Sequence, residues 1–265
     1  MTEFASRRVL VTGASRGVGA ATAKAFARAG AHTVILAARN GAALDRVKTE
    51  IETMGGRAEA YPVDLSSREA CRELAARCGD IDVLINNAAF TSGADQNVLV
   101  RNDEFWDMNF AVTFFAPLIL MQELGRGMAK RGRGVVLNIS SMAAQRPVPE
   151  YAPYGVSKAA LDTLSKAAGM ELAGLGVRVN SVALGHVDTE ALRENCGEGL
   201  TPDDVARINS PLGRAIKATE IADFCVYLAS DAAAPIVGTV LTIDGGLTAG
   251  SFSFSKTFGE QTSRS

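Results

Sequence analysis

The amino-acid sequence predicts an α/β architecture: one doubly wound, parallel, seven-stranded sheet with helices on both faces. Three observations predict it. Seven short segments are continuously apolar rather than alternating, the pattern of strands covered on both sides. Segments rich in helix formers lie between them, the arrangement that parallel strands require. No Pro/Gly/Ser-rich linker divides the 265 residues, so residues 1–250 read as one domain and 251–265 as a polar and aromatic tail.

Residues 9–12 (VLVT) make a β-branched, apolar strand stopped by Gly13, and 20–27 (AATAKAFA) a run of helix formers. Residues 33–38 read as the second strand, and the helix from Gly41 ends near Gly55-Gly56. Then come a strand over 57–63, a helix over 68–77 and a strand over 82–86. A long helical region over 105–128 leads into the strand 134–140. The helix 154–172 precedes the strand 177–183, and the helix 219–228 precedes the last strand, 240–243. Residues 188–214, with Pro202 and Pro211, break this rhythm and look like a mobile insertion.

Composition narrows the classes. A chain of this length buries about three quarters of the surface it exposes unfolded, so its core needs no metal or disulfide. Basic and acidic residues nearly balance, 27 against 29, which gives no global field for nucleic acid. The local cluster Lys130-Arg131-Gly132-Arg133 has no interleaved aromatics and reads as a solvated turn. Cys71, Cys78, Cys196 and Cys225 form no CxxC pair, and with His32 and His186 they assemble no metal site. A reduced, cytoplasmic chain is the simplest expectation. The apolar stretch 110–121 carries Thr113 and Pro117 and falls short of the ~20 residues of a membrane helix. Ser6-Arg7-Arg8-Val9-Leu10 is similar to a twin-arginine export signal, but Gly13, Arg16, Gly17 and Gly19 interrupt the apolar segment behind it.

Thr12-Gly13-Ala14-Ser15-Arg16-Gly17-Val18-Gly19 lies between the first strand and the first helix. Glycines there let the backbone turn sharply and approach a pyrophosphate, whose charge a helix N-terminus favours. No Gly-Lys-Ser/Thr comes after it, so this is not a Walker loop. The same letters match GxSxG, the nucleophile elbow of serine hydrolases. That reading needs an acid and then a histidine downstream. Only His186 comes late enough, and no HGGG-type segment precedes Ser15.

Farther along stand Asn86-Asn87-Ala88-Ala89, Asn109, Ser141, Tyr154-x-x-x-Lys158, Arg178-Val179-Asn180 and Asp244-Gly245-Gly246. In this order, behind the glycine loop, they resemble the classical short-chain dehydrogenase/reductases over residues 8–249, nearest the β-ketoacyl reductase-like members. The resemblance implies a Rossmann-like fold and hydride transfer between a nicotinamide cofactor and a ketone or secondary alcohol. Tyr-x-x-x-Lys alone is a weak signal. Thirteen residues after a strand-end serine, it is specific. Tyr151 is set aside, because Gly155 and not a lysine lies four residues on.

Residues four apart share a helix face, so Tyr154 and Lys158 point into one cleft. A phenol near pKa ~10 is a poor acid–base catalyst at neutral pH, and a nearby ammonium favours the phenolate. A lowered Tyr154 is therefore expected, acting as general acid in reduction and general base in oxidation. Ser141 would donate a hydrogen bond to the reacting oxygen. By resemblance, Lys158 also holds the nicotinamide ribose, and Asn109 keeps a water that links Lys158 to solvent.

The second strand ends in Ala38-Arg39 where NAD enzymes of this type carry an acid, and Arg16 lies in the glycine loop. Two guanidinium groups and no carboxylate suit a 2′-phosphate, so NADP(H) is the expected cofactor. The resemblance places Gly13, Ser15, Arg16, Gly17, Val18, Gly19, Arg39, Asp64, Leu65, Asn87, Ala88, Gly185, Val187 and Thr189 along it, with Tyr154 and Lys158. No metal ligand is expected.

The chain departs from the family where Leu184-Gly185-His186 replaces the usual Pro-Gly, which should free the backbone there. His186 is then either a substrate contact or an ordinary loop histidine. Carrier-protein reductases generally carry a basic residue before the sixth strand, where this chain has Ala173-Gly174-Leu175-Gly176. A 3-oxoacyl-(acyl-carrier-protein) reductase therefore stands as the alternative to a reductase of a free ketone. Enoyl reduction is disfavoured, since that subfamily spaces its tyrosine and lysine farther apart. A catalytically silent NADP(H) sensor is the alternative of another class. Residues 188–214 are expected to act as a substrate lid. The apolar helices 105–128 and 154–172 point to a homodimer or homotetramer, as in relatives, with no nucleic acid or membrane partner.

Overall fold

Alternation along the strands sorts the apolar side chains into two cores. Val9 and Val11 join one with Val34, Leu36, Val83 and Ile85, while Leu10, Ile35 and Leu84 join the other. In the computed structural model, which describes residues 3–90, 98–100 and 102–250, these strands are β1 (Arg8–Thr12), β2 (Thr33–Ala38) and β4 (Val83–Asn86). With β3 (Ala58–Pro62), β5 (Gly134–Ser141), β6 (Val177–Leu184) and β9 (Val240–Ile243) they form the expected seven-stranded sheet. The order is β3-β2-β1-β4-β5-β6-β9, and every pairing is parallel. The chain leaves β1 toward β2 on one side and later resumes at β4 on the other. A crevice opens at that reversal, beyond the carboxyl ends of the strands.

Helices cover both faces. α1 (Gly17–Arg28), α2 (Gly41–Thr53) and α9 (Ala218–Ala229) place Phe26, Leu44, Ile51, Ile221 and Leu228 in the first core. α3 (Arg68–Cys78), α5 (Ala116–Arg131) and α6 (Ala152–Leu172) supply Leu74, Leu120, Leu124, Met128 and Ala168 to the second. The tail 251–265 lies outside the described residues.

Three expectations need correcting. The helical region expected over 105–128 is α4 (Asp103–Phe110), a π-helical turn (Ala111–Phe115) and then α5. This run of 29 residues, unlike 110–121 alone, is long and apolar enough to cross a membrane by composition, with a mean hydropathy of 1.3 over its best window. Half of that window is buried, because its apolar side supplies the second core. Second, the segment 188–214 is not irregular. It contains α7 (Glu190–Asn195) and α8 (Pro202–Asn209), and a parallel pair closes its base: β7 (Val187–Asp188) against β8 (Ile216–Lys217). Third, Leu184 does not free the backbone. It extends β6, pairing with Ser141 on one side and Ile243 on the other.

Of the basic cluster at 130–133, Lys130 and Arg131 end α5 and the turn falls at Gly132, with ion pairs from Arg131 to Asp80 and from Arg133 to Asp82.

Candidate active site

The crevice begins where β1 ends. Gly13 takes φ 65°, which a side chain adopts at a cost, and a Cβ there would lie 2.8 Å from Asn87 Nδ2. A Cβ on Gly19 would overlap the carbonyl oxygen of Gly13. The loop is clamped to the end of β4: Asn87 Nδ2 donates to the Thr12 and Gly13 carbonyls at 2.9 and 3.3 Å. The backbone N–H groups of Asn87 and Ala88 donate to Thr12 Oγ1 at 2.9 and 3.1 Å. Asn87 thus spends its amide on shaping the loop. α1 starts without a side-chain cap, which leaves its first N–H groups for an anion.

A cavity of about 520 Å³ brings together Gly13, Ser15, Arg16, Gly17, Val18, Arg39, Asp64, Leu65, Asn87, Ala88 and Thr189. Gly19 is buried behind the loop. Gly185 and Val187 sit off this cavity: a Cβ on Gly185 would meet Asp244 at 2.6 Å, and Val187 is a core residue. Among the lining residues that escaped the sequence reading, one is basic and lines the cavity beside Arg39: Arg46 of α2. It lies nearly two turns into α2, away from any motif that would have singled it out. A bare glycine cradle, an uncapped helix start and two arginines, Arg39 and Arg46, that are unpaired among the described residues fit a nicotinamide dinucleotide.

Ser141 ends β5, and its Oγ accepts from the Ala143 N–H at 3.2 Å, opening the turn (Met142–Ala144) that leads toward α6. Tyr154 and Lys158 lie one turn apart on α6, beside that strand end. Lys158 is buried, and its ammonium donates to the Ile139 carbonyl. It stands 5.7 Å from the centroid of the Tyr154 ring. The expected lowering of Tyr154 does not occur: burial pushes its phenol up to about 12, against a smaller opposing effect of the Ser141 hydroxyl. Desolvation disfavours the charged phenolate, and the Lys158 ammonium gives its hydrogen bond to the backbone. Burial also brings Lys158 down to about 8, opposed by Asp162. At neutral pH the pair is therefore a protonated phenol beside a cation.

Asn109, in the last turn of α4, donates from Nδ2 to the Phe105 carbonyl at 3.1 Å, while its buried Oδ1 has no partner among the described residues. A buried orphan acceptor is what a bound water satisfies. Below the site, Ser181 of β6 donates to Asp162 at 2.6 Å, and Asn86 donates to Asn138, which donates to Ser165, each at 2.8 Å. Arg178-Val179-Asn180 and Asp244-Gly245-Gly246 are scaffolding. Arg178 donates to the Ser230 and Ala233 carbonyls, Asn180 to the Ile236 carbonyl, and Asp244 accepts from the Gly246 and Thr248 N–H groups. His186 is partly buried, which lowers its imidazole, and among the described residues no hydrogen bond joins it to Ser15.

Fold and site together define an oxidoreductase that binds a nicotinamide dinucleotide. A family model described as enoyl-(acyl carrier protein) reductase matches residues 13–248. A 3-oxoacyl-(acyl-carrier-protein) reductase of Thermotoga maritima is 35% identical over 243 residues, spanning 90% of this chain and 96% of that one. Gluconate 5-dehydrogenase of Gluconobacter oxydans is 34% identical over 245 residues, 91% of this chain and 94% of the relative. The crystal structure of L-sorbose reductase from Gluconobacter frateurii, complexed with NADPH and L-sorbose, superposes with a TM-score of 0.88 at 28% identity, covering 95% of this chain and all of that one (100%). The chain belongs to the short-chain dehydrogenase/reductase family.

Proposed function

We propose that this protein is an NADP(H)-dependent reductase of a small ketone, reversible to the secondary alcohol, with Tyr154 as the general acid/base. The observation that carries the reading is the meeting of Ser141, Tyr154 and Lys158 at the end of β5, with Tyr154 held protonated at neutral pH. Bound NADPH supplies the hydride. Tyr154 gives its proton to the carbonyl oxygen as charge develops there, and Ser141 donates a second hydrogen bond to the same oxygen. Lys158 holds the ribose and places positive charge beside the phenol. Asn109 keeps a water on its orphan Oδ1, through which the proton is replaced from solvent.

Residues 188–214 serve as the lid in this reading: Thr189 lines the cofactor cavity and caps α7, so movement of that helix is coupled to the cleft. A homo-oligomer and a reduced, cytoplasmic setting complete it. Four free, buried cysteines support the latter, with Cys71, Cys78 and Cys225 pushed by burial to about 11, 12 and 12. A carrier-bound substrate is the second reading, favoured by the Thermotoga relative. The turn at 173–176 offers no basic group to an acidic carrier.

The test is NADPH absorbance decay over a panel of sugar-derived and simple ketones and a 3-oxoacyl carrier-protein substrate, repeated with NADH. Turnover of free ketones with higher kcat/KM for NADPH is expected. A preference for NADH refutes the cofactor assignment. Tight NADPH binding with no turnover on any substrate makes the protein a silent sensor instead.

A further inference from the structure

Among the described residues, none pairs with the Arg46 guanidinium. α2 is started by Asn40, whose Oδ1 accepts from the Ala43 N–H at 3.0 Å. Ala43 and Arg46 come at three-residue steps, on the face that lines the cofactor cavity together with Arg39. The natural partner of Arg46 along the helix is Glu50, one turn on. Glu50 is taken by Lys24 of α1, which approaches its Oε2 to 2.7 Å. Lys48 is paired in turn with Glu52 at 2.8 Å. Arg39 and Arg46, both exposed, thus stay without an ion pair or a side-chain hydrogen bond among the described residues. Arg16 differs, because Glu194 of α7 holds it at 3.1 Å.

We infer that Arg46 joins Arg39 as the cationic pair that receives the cofactor's 2′-phosphate, which makes Arg46 a determinant of NADP(H) preference. The inference rests on the NADP(H) assignment proposed for this site. Each guanidinium offers planar, paired donors to phosphate oxygens, and two unpaired ones facing one cavity suit a dianion. The ion pair between Lys24 and Glu50 has a part in this: it withdraws the carboxylate that would otherwise neutralise Arg46. Glu194 imposes a competitor on Arg16 that the other two arginines lack.

Calorimetric titration with adenosine 2′,5′-bisphosphate and with AMP tests the inference without turnover. The wild type is expected to bind the bisphosphate about a hundredfold more tightly than AMP. Arg46→Ala should cut that preference about tenfold and leave AMP binding unchanged, with Arg46→Lys between the two. Arg39→Ala should do the same as Arg46→Ala. If Arg39→Ala loses the preference while Arg46→Ala keeps it, Arg46 is no part of the subsite and only this inference is overturned. If the wild type itself does not discriminate, the NADP(H) assignment and the inference are overturned together.

Discussion

The Lys158 ammonium lies 5.7 Å from the centre of the Tyr154 ring yet gives its hydrogen bond to the Ile139 carbonyl. The cation is close enough to act on the phenol but spends its directed contact on β5. Burial holds Tyr154 high, at about 12, so it is a proton donor at neutral pH. That is the protonation state reduction requires.

Raising the pH removes the cation first. Lys158, brought down to about 8 by burial, loses its charge as pH passes that value. kcat/KM for ketone reduction should fall above about pH 8, and Asp162→Asn should move this limb lower, since Asp162 opposes the lowering. Lys158→Met should lack the limb. A limb unmoved in Asp162→Asn would detach that carboxylate from Lys158.

Stability should respond with a definite sign. Between pH 8 and 10.5 the unfolded chain keeps the Lys158 proton that the folded chain has lost, so stability rises with pH. Relative to Lys158→Met, the wild type should gain roughly 3 kcal/mol over this interval, read from urea unfolding at successive pH values. Tyr154 acts oppositely above its ordinary value of 10.0, because its folded phenol holds the proton longer. A constant difference between the two proteins would show that the ammonium is not desolvated.

Asn109 is a polar residue whose removal should harm turnover more than folding. Among the described residues one side-chain hydrogen bond is lost, worth about 1 kcal/mol, because Oδ1 has no partner there. Asn109→Ala should therefore keep its melting temperature within a few degrees and lower kcat by roughly tenfold to a hundredfold. A large loss of stability with normal kcat in the surviving enzyme would make Asn109 structural.

The glycine loop gives a purely steric prediction. In Gly19→Ala the added methyl would overlap the Gly13 carbonyl oxygen and come within 2.5 Å of Asn87 Nδ2, which is hydrogen-bonded to that oxygen. The loop has to shift, so NADPH affinity should fall by about a hundredfold or the protein should lose more than about 2 kcal/mol of stability. Unchanged affinity and stability would mean that the loop yields freely.

Much of this was legible in the sequence, for identifiable reasons. The strand 33–38 stands out because both of its faces are buried, so its side chains do not alternate between apolar and charged. The motif residues Ser141, Tyr154 and Lys158 meet because a strand end and one helix face bring them together. β7 and β8 escaped notice, as strands of two residues have no periodicity to read. α8 did leave a trace: Thr201 and Asp204 cap each other and Pro202 opens the helix. The high Tyr154 could not be read, since it depends on how deeply the fold buries the phenol. Arg46 was hidden by its distance from any motif, and its freedom depends on Lys24, a residue of another helix.

The most direct test of Tyr154 as the proton donor is the single-turnover rate of ketone reduction by Tyr154→Phe, with NADPH affinity measured on the same protein. The rate should fall by about a thousandfold or more while NADPH binds within a few-fold of wild type. A variant that reduces the ketone at a rate close to wild type would contradict the mechanism.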